Sequence, residues 1–236
     1  MKTLVMMPTF NEIETLERSV TELFKHNPDV QLLIIDDNSP DGTGELAERL
    51  SSKSPQTHVL HRASKQGLGK AYLAGMAWGM DKGFELLVQM DADGSHRAED
   101  LPRLLAKANL DDLIIGSRWV PGGEVHNWPW YRKGISRFGN FYAAKMLGSS
   151  LGDLTAGFRV YGRDLLTQLP LDNVAAQGYG FQVEMTKNVI AAGKAVVEVP
   201  IHFVERENGA SKMTLAIVLE AFTLASKWGI QRLFRR

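Results

Sequence analysis

The chain has 236 residues, enough to bury one full sheet between helices and near the upper limit of a single α/β domain. Its 27 basic residues balance 27 acidic ones and 44% of its residues are hydrophobic, an ordinary globular composition that gives no reason to expect a nucleic-acid partner. There is no cysteine, which excludes disulfides and thiolate metal sites and fits a reducing, cytoplasmic setting.

The N-terminus MKTLVMMPTF has too short an apolar run for a secretory leader, and Leu4 to Met7 reads as a strand. Short β-rich runs then alternate with amphipathic stretches, the pattern of βα units around a mostly parallel sheet. The pattern predicts strands at residues 3–7, 31–36, 58–61, 86–90 and 113–115, and helices at 12–25, 44–51, 70–82 and 99–107. Right-handed crossovers place the loops that follow these strands together at the carboxyl edge of the sheet, where a ligand binds. The second half is less regular. A segment rich in Gly, Pro and Trp at 120–131 precedes a helix at 135–147, and LGDLTAGFRVYG reads as turns. A helix at 181–192, a strand at 195–203, the polar loop ERENGASK and a last helix from Thr214 to about Phe234 follow. Glu220, Lys227 and Arg232 interrupt that last apolar stretch, well short of the roughly 20 apolar residues that span a bilayer. The expected division is a catalytic unit over 1–213 and an amphipathic helix with a basic tail over 214–236.

The strongest local signal is MDADG, with Asp91 and Asp93 two apart just past a buried strand. Side chains two apart in extended chain point the same way, so both carboxylates can face one divalent cation and the diphosphate it bridges. Ser95 can add a hydroxyl, and a strand's carboxyl end suits Mg²⁺ or Mn²⁺. An isolated D-x-D is more often a solvated turn; its position here favours the metal. Pro8-Thr9-Phe10-Asn11-Glu12 ends the first strand, with Asn11 either a helix N-cap or part of a nucleoside pocket shared with IIDDNSPDGT at 34–43. Asp36 and Asp37 there suit either a loop cap or a nucleoside.

Gly42 to Ala47 matches G-x-G-x-x-A, but it follows the second strand, and His61-Arg62 stands where a dinucleotide site wants an acidic residue. Gly67-Leu68-Gly69-Lys70 lacks the full phosphate-loop spacing and instead lets a helix start close to the donor. Arg118, Arg132, Arg206 and Lys212 form a third constellation, fixed positive charge of the kind that a leaving diphosphate and an anionic acceptor need.

In order, PTFNE, IIDDNSPDGT, QGLGKA, MDADGSH, GSRW, WPWYRKGIS, LTAGFR, GYGFQVEM and RENGASKM make the chain similar to the family 2 inverting glycosyltransferases, specifically the dolichol- or polyprenol-phosphate mannose synthases. The likeness runs from Pro8 to Met213, and WPWYRK with RENGASK is its most specific part. It implies the GT-A nucleotide-sugar-binding fold, with transfer of mannose from GDP-mannose to a polyprenyl monophosphate and inversion at the sugar. It places Pro8, Phe10, Glu12, Ile35 and Asp37 around guanosine, with Thr9 and Asn11 supporting that loop. Asp91, Ala92 and Asp93 then meet ribose, metal and diphosphate, with Asp93 and Ser95 nearest the metal; some members carry glutamine at the Ser95 position. Arg118, Gln182 and Arg206 complete the donor site, and Arg132 and Lys212 hold the lipid phosphate.

An ionised acceptor phosphate needs no strong general base, so catalysis rests on Asp93, Arg118 and Arg132 as electrostatic groups. Asp153 is either an acceptor-positioning or basic residue or a structural turn carboxylate. The first half of the last helix is expected on the core, and its end, with Trp228, Phe234 and the basic tail, at the inner membrane surface or against a membrane-embedded partner. Two alternatives are transfer of another hexose such as glucose, and a non-catalytic partner subunit.

Overall fold

The computed structural model describes residues 1–176, 178–205 and 215–233. In chain order its elements are β1 (Thr3–Thr9), α1 (Leu16–His26), β2 (Gln31–Asp36), α2 (Thr43–Lys53), β3 (Thr57–His61), α3 (Leu68–Asp81), β4 (Leu86–Gln89), α4 (Leu101–Leu105) and β5 (Leu113–Ser117). There follow β6 (Glu124–His126), α5 (Trp130–Leu147), β7 (Arg159–Gly162), α6 (Arg163–Thr167), α7 (Gly178–Ala191), β8 (Val196–Pro200), β9 (His202–Val204) and α8 (Leu215–Leu233).

Parity sorts the strand side chains. Val5, Met7, Leu32 and Ile34 join one buried cluster with Leu16, Val20 and Leu23 of α1 and Leu101 and Leu104 of α4. Leu4, Met6, Leu33 and Ile35 join a second with Tyr72 and Met76 of α3 and Phe181 and Met185 of α7. Both sheet faces are covered by helices, which is why these strands are unbroken apolar runs.

The strand order is β3-β2-β1-β4-β7-β5-β8. All neighbours run parallel except β7, which is antiparallel to both β4 and β5. The order reverses between β1 and β4, and a switch point of that kind opens a crevice at the carboxyl ends of the strands. Pairing of Thr9 with Asp36 and of Met6 with Gln89 brings the loops after β1, β2 and β4 to that one edge. This is the expected architecture, a mostly parallel sheet flanked by helices.

Four local expectations are corrected. The helix predicted from residue 12 begins at Leu16, and Asn11 is no N-cap: it has φ 58° and its N–H donates to Ser39 Oγ at 3.2 Å. LGDLTAGFRVYG is not all turns, since it ends in β7. Arg159 disguises this strand, but its fully buried guanidinium donates to the carbonyls of Leu154, Ala156 and Gln182 and to Thr186 Oγ1, so the charge is solvated from within. The strand predicted at 195–203 is two: β8 stays in the main sheet, while β9 pairs with β6 in a separate two-stranded sheet. Helix α5 starts at Trp130 rather than 135, with Pro129 at its N-cap.

Helix α8 packs on α5, with Phe222 against Phe138 and Tyr142 at ring distances of 6.3 and 5.1 Å, and Tyr142 Oη 2.7 Å from Ser226 Oγ. Trp228 is partly buried against α5 and α7, with Lys187 4.7 Å over its ring. Phe234 and the basic tail lie outside the described residues. Among the described residues, no helix is long and apolar enough to cross a membrane.

Candidate active site at the carboxyl edge of the sheet

The loop after β1 and the loop after β2 are tied together residue by residue. Asp37 N–H donates to Thr9 O at 3.1 Å, and Thr9 Oγ1 donates to Ile35 O and Asp36 Oδ1 at 3.4 and 3.3 Å. Glu12 N–H donates to Thr43 Oγ1 at 3.0 Å, and Lys65 lies 4.0 Å over the ring of Phe10. Pro8, Thr9, Phe10, Asn11 and Glu12 therefore stand beside Ile35 and Asp37, as the sequence predicts. Ile35 meets this edge through its main chain only, because its side chain is in the core. Asp36 closes its own loop by accepting from Ser39 N–H and Oγ, whereas Asp37 pairs with Arg62 at 2.5 Å. Burial pushes the Asp37 carboxyl above its usual range, and Arg62 opposes that shift.

Past β4 the chain turns through Gly94, whose φ of 77° favours glycine. Asp93 Oδ1 accepts from Ser95 N–H at 3.0 Å, and Asp91 Oδ1 accepts from Tyr72 Oη at 3.0 Å. Burial, then the negative charges of Asp91 and Asp93, push the Tyr72 phenol well above its usual value. Two hard oxygen donors suit Mg²⁺ or Mn²⁺, ions that commonly take one or two protein carboxylates and complete their shell with phosphate and water. Ser95 is buried beside Asp93, and Ala92 is buried with its carbonyl accepting from Ser19 Oγ at 2.8 Å.

A wall of rings joins this turn to the cations. His96 Nδ1 accepts the Asp91 N–H at 3.0 Å, and its ring lies 5.9 Å from Phe203, which lies 5.5 Å from Trp128. Arg118 and Arg132 sit 5.6 and 4.1 Å from the Trp128 centroid, so one indole gathers both predicted arginines. Arg118 is buried and grips Asp153 through Nε and Nη2 at 2.7 Å each, with Thr155 Oγ1 at 2.9 Å. Asp153 is wholly buried, and its N–H and that of Gly152 donate to Glu198. Of its two readings, this geometry supports the turn carboxylate. Arg132 is paired with Glu205. A cavity of about 410 Å³ beside α1 is lined by Asp93, Gly94, Arg18, Arg97 and that same Glu205.

The family model for glycosyl transferase family 2 matches residues 4–169. The chain belongs to glycosyl transferase family 2. Two curated members of mannosyltransferase type match nearly its whole length. An undecaprenyl-phosphate mannosyltransferase from Micrococcus luteus is 50% identical over 98% of this chain and 95% of its own. A polyprenol monophosphomannose synthase from Mycolicibacterium smegmatis is 49% identical over 98% and 88%. Among solved structures, glucosyl-3-phosphoglycerate synthase from Mycobacterium tuberculosis with Mn²⁺, UDP-glucose and phosphoglyceric acid gives a TM-score of 0.70 at 19% identity, covering 97% of this chain and 79% of that one. A mannosyltransferase from Pyrobaculum calidifontis with GDP-Man and Mn²⁺ gives 0.59 at 14%, covering 99% and 74%. These two likenesses establish the shared fold.

In this family 2 chain the structure sets Pro8 to Glu12 against the loop of Ile35 and Asp37, Asp93 against Ser95, and Arg118 and Arg132 on one indole, while Gln182 lies beneath the edge. Gln182 is buried on α7 and donates to Gln89 Oε1 at 3.0 Å, two residues before Asp91. Arg206 and Lys212 lie outside the described residues. Sequence reasoning passed over Tyr72, His96, Phe203, Trp128, Arg62 and Glu205. Trp128 lay inside the quoted WPWYRK and His96 inside MDADGSH, yet neither spacing reveals that the two rings share Phe203.

Proposed function

We propose that the chain transfers mannose from GDP-mannose to a polyprenyl monophosphate, giving β-linked polyprenyl-phosphate mannose and GDP. The observation that carries the lipid acceptor is the outer face of α5, the helix that bears Arg132. Trp130, Tyr131, Ile135, Phe138 and Phe141 on it are 56–85% exposed, and its four charged residues, Arg132, Lys133, Arg137 and Lys145, are all basic. Large apolar groups do not normally crowd one exposed helix, and basic flanks beside aromatic side chains suit an anionic bilayer surface. Association at the inner membrane face follows, with α5 as a docking element. Mannose is supported by two relatives of mannosyltransferase type that are about half identical over nearly the entire chain.

A divalent cation held by Asp91 and Asp93, with Ser95 alongside, would supply charge neutralisation for the donor diphosphate. Pro8, Phe10, Glu12, Ile35 and Asp37 receive the nucleoside, with Thr9 and Asn11 fixing their loop. Arg118, held in one orientation by Asp153, serves the departing diphosphate together with Arg206, and Gln182 supports the floor. Arg132 exchanges Glu205 for the acceptor phosphate, assisted by Lys212. An ionised phosphate oxygen then attacks the anomeric carbon in line. The new C1–O bond forms as the bond to GDP breaks, GDP keeps the electron pair, and no proton has to be removed.

Incubation of the purified protein with labelled nucleotide sugars and a short polyprenyl phosphate tests this. Labelled lipid is expected from GDP-mannose alone. Label from UDP-glucose instead would replace the donor, and no labelled lipid from any donor would refute the acceptor.

A further inference from the structure

We infer that His96 is a positioning residue for the metal-binding turn, and that it works by standing in for a missing strand partner. The register of β4 against β7 runs from Leu86–Gly162 to Gln89–Arg159, and continued by two residues it sets Asp91 opposite Gly157. The ladder stops at Arg159, so the Asp91 N–H meets no β7 carbonyl. The His96 Nδ1 accepts it instead, at 3.0 Å. The Asp91 N–H is part-buried, so losing its acceptor costs part of the desolvation penalty of an unpaired group, and it belongs to the first aspartate of the D-x-D pair.

The imidazole can hold the turn only if it is itself held. Its side chain is about 3% exposed, stacked on Phe158 at 5.0 Å and 14°, and met edge-on by Phe203. His96 also forms an antiparallel bridge with Phe203, which ties the turn to β9. Gly157 completes the seat: a Cβ there would lie 3.3 Å from His96 Cε1 and 3.8 Å from Asp91 Oδ2. An imidazole that accepts at Nδ1 carries its proton on Nε2, so the ring acts as a neutral acceptor. Tyr72 holds Asp91 Oδ1 and the Ser95 N–H holds Asp93 Oδ1, while the main chain of the pair is gripped from two sides, at the Ala92 carbonyl by Ser19 Oγ and at the Asp91 N–H by His96. Groups behind the ligands of a metal are worth about 10–100-fold in its affinity.

This rests on a divalent cation at Asp91 and Asp93, so the readout is Mn²⁺ affinity in the presence of GDP, followed by the EPR signal of free Mn²⁺. The wild type is the control: no binding there would remove the metal assignment itself. In a wild type that binds, His96→Asn puts an amide oxygen where Nδ1 stands and is expected to stay within about threefold. His96→Leu and His96→Gln, the latter with its acceptor one bond too far out, are expected to weaken Mn²⁺ at least about 10-fold. A packing role alone predicts the opposite order, with Leu tolerated better than Asn. Amide exchange at Asp91 gives a metal-independent readout: slow in wild type and Asn, fast in Gln and Leu. Should His96→Leu fail to fold, the Asn and Gln pair still decides. Equal Mn²⁺ affinity in those two, or wild-type affinity in folded His96→Leu, overturns the proposal.

Discussion

Asp153→Asn removes one negative charge from the most enclosed ion pair of the site and leaves its shape nearly unchanged. The carboxylate accepts from Arg118 N–H, Nε and Nη2 and from Thr155 Oγ1, and both side chains of the pair are at most 5% exposed. Leaving one charge of a buried pair without its partner costs about 3–5 kcal/mol. Rings of Trp119, Trp128 and Phe203 lie 5.5–5.9 Å from the Arg118 guanidinium and take up part of that cost, which favours the lower end, about 3 kcal/mol. For a chain of this size about 2–4 °C is lost per kcal/mol, so the melting temperature should fall by about 6–12 °C. Urea unfolding followed by both far-UV and tryptophan signals measures the change and checks that the transition is two-state. Pairing Asp153→Asn with Arg118→Met should recover most of the loss, because no unmatched charge then remains. A single-mutant loss below about 1 kcal/mol, or a double mutant that simply sums the two singles, would refute the assignment of Asp153 as the structural counter-charge of Arg118.

Asp93→Asn should keep the fold and lose at least about 100-fold in turnover, the scale of a key electrostatic group; near-normal activity, or full wild-type activity in excess chelator, counts against the metal site. Arg132→Ala should raise the apparent KM for the lipid phosphate by about 10-fold or more, with GDP-mannose affinity by calorimetry changed far less. Arg62→Ala removes the group that opposes the burial-driven rise at Asp37, so that carboxyl should move up further. A carboxyl raised on folding destabilises the fold above its folded pKa and ceases to do so as pH falls through it, so the deficit against wild type should be larger at pH 8 than at pH 5, by melting temperature. Phe138→Glu with Phe141→Glu should lower co-sedimentation with anionic vesicles at least about 10-fold while turnover of a short, soluble acceptor persists.

The sequence displayed whatever is local. Periodicity located β1 to β5 and the helices between them, because a buried parallel strand and an amphipathic helix each write their pattern into consecutive residues. The D-x-D pair was legible for the same reason. β7 was hidden because Arg159 breaks its apolar run and is reconciled by carbonyls up to 23 residues away. α5 was shortened because its outer aromatic residues follow no core-facing period. His96, Phe203 and Trp128 are spread over more than a hundred positions and meet only through the small sheet of β6 and β9, so no spacing rule reaches them.

The reversed direction of β7 also governs where this chain tolerates change. The strands β1, β2, β4 and β5 carry site residues at or just past their carboxyl ends, but β7 runs the other way, and its approach segment, with Asp153, Thr155 and Gly157, is what reaches the edge. The exit of β7 lies at the opposite rim, where Gly162 pairs with Leu86 and packs against the backbone of Leu110. Residues inserted ahead of Arg159 therefore shift the seats of Arg118 and of the metal-binding turn directly. Past α6, Leu169 and Val174 are anchored in the core, so the exposed turn at Asp172 and Asn173 between them is the place to graft a tag or a second module.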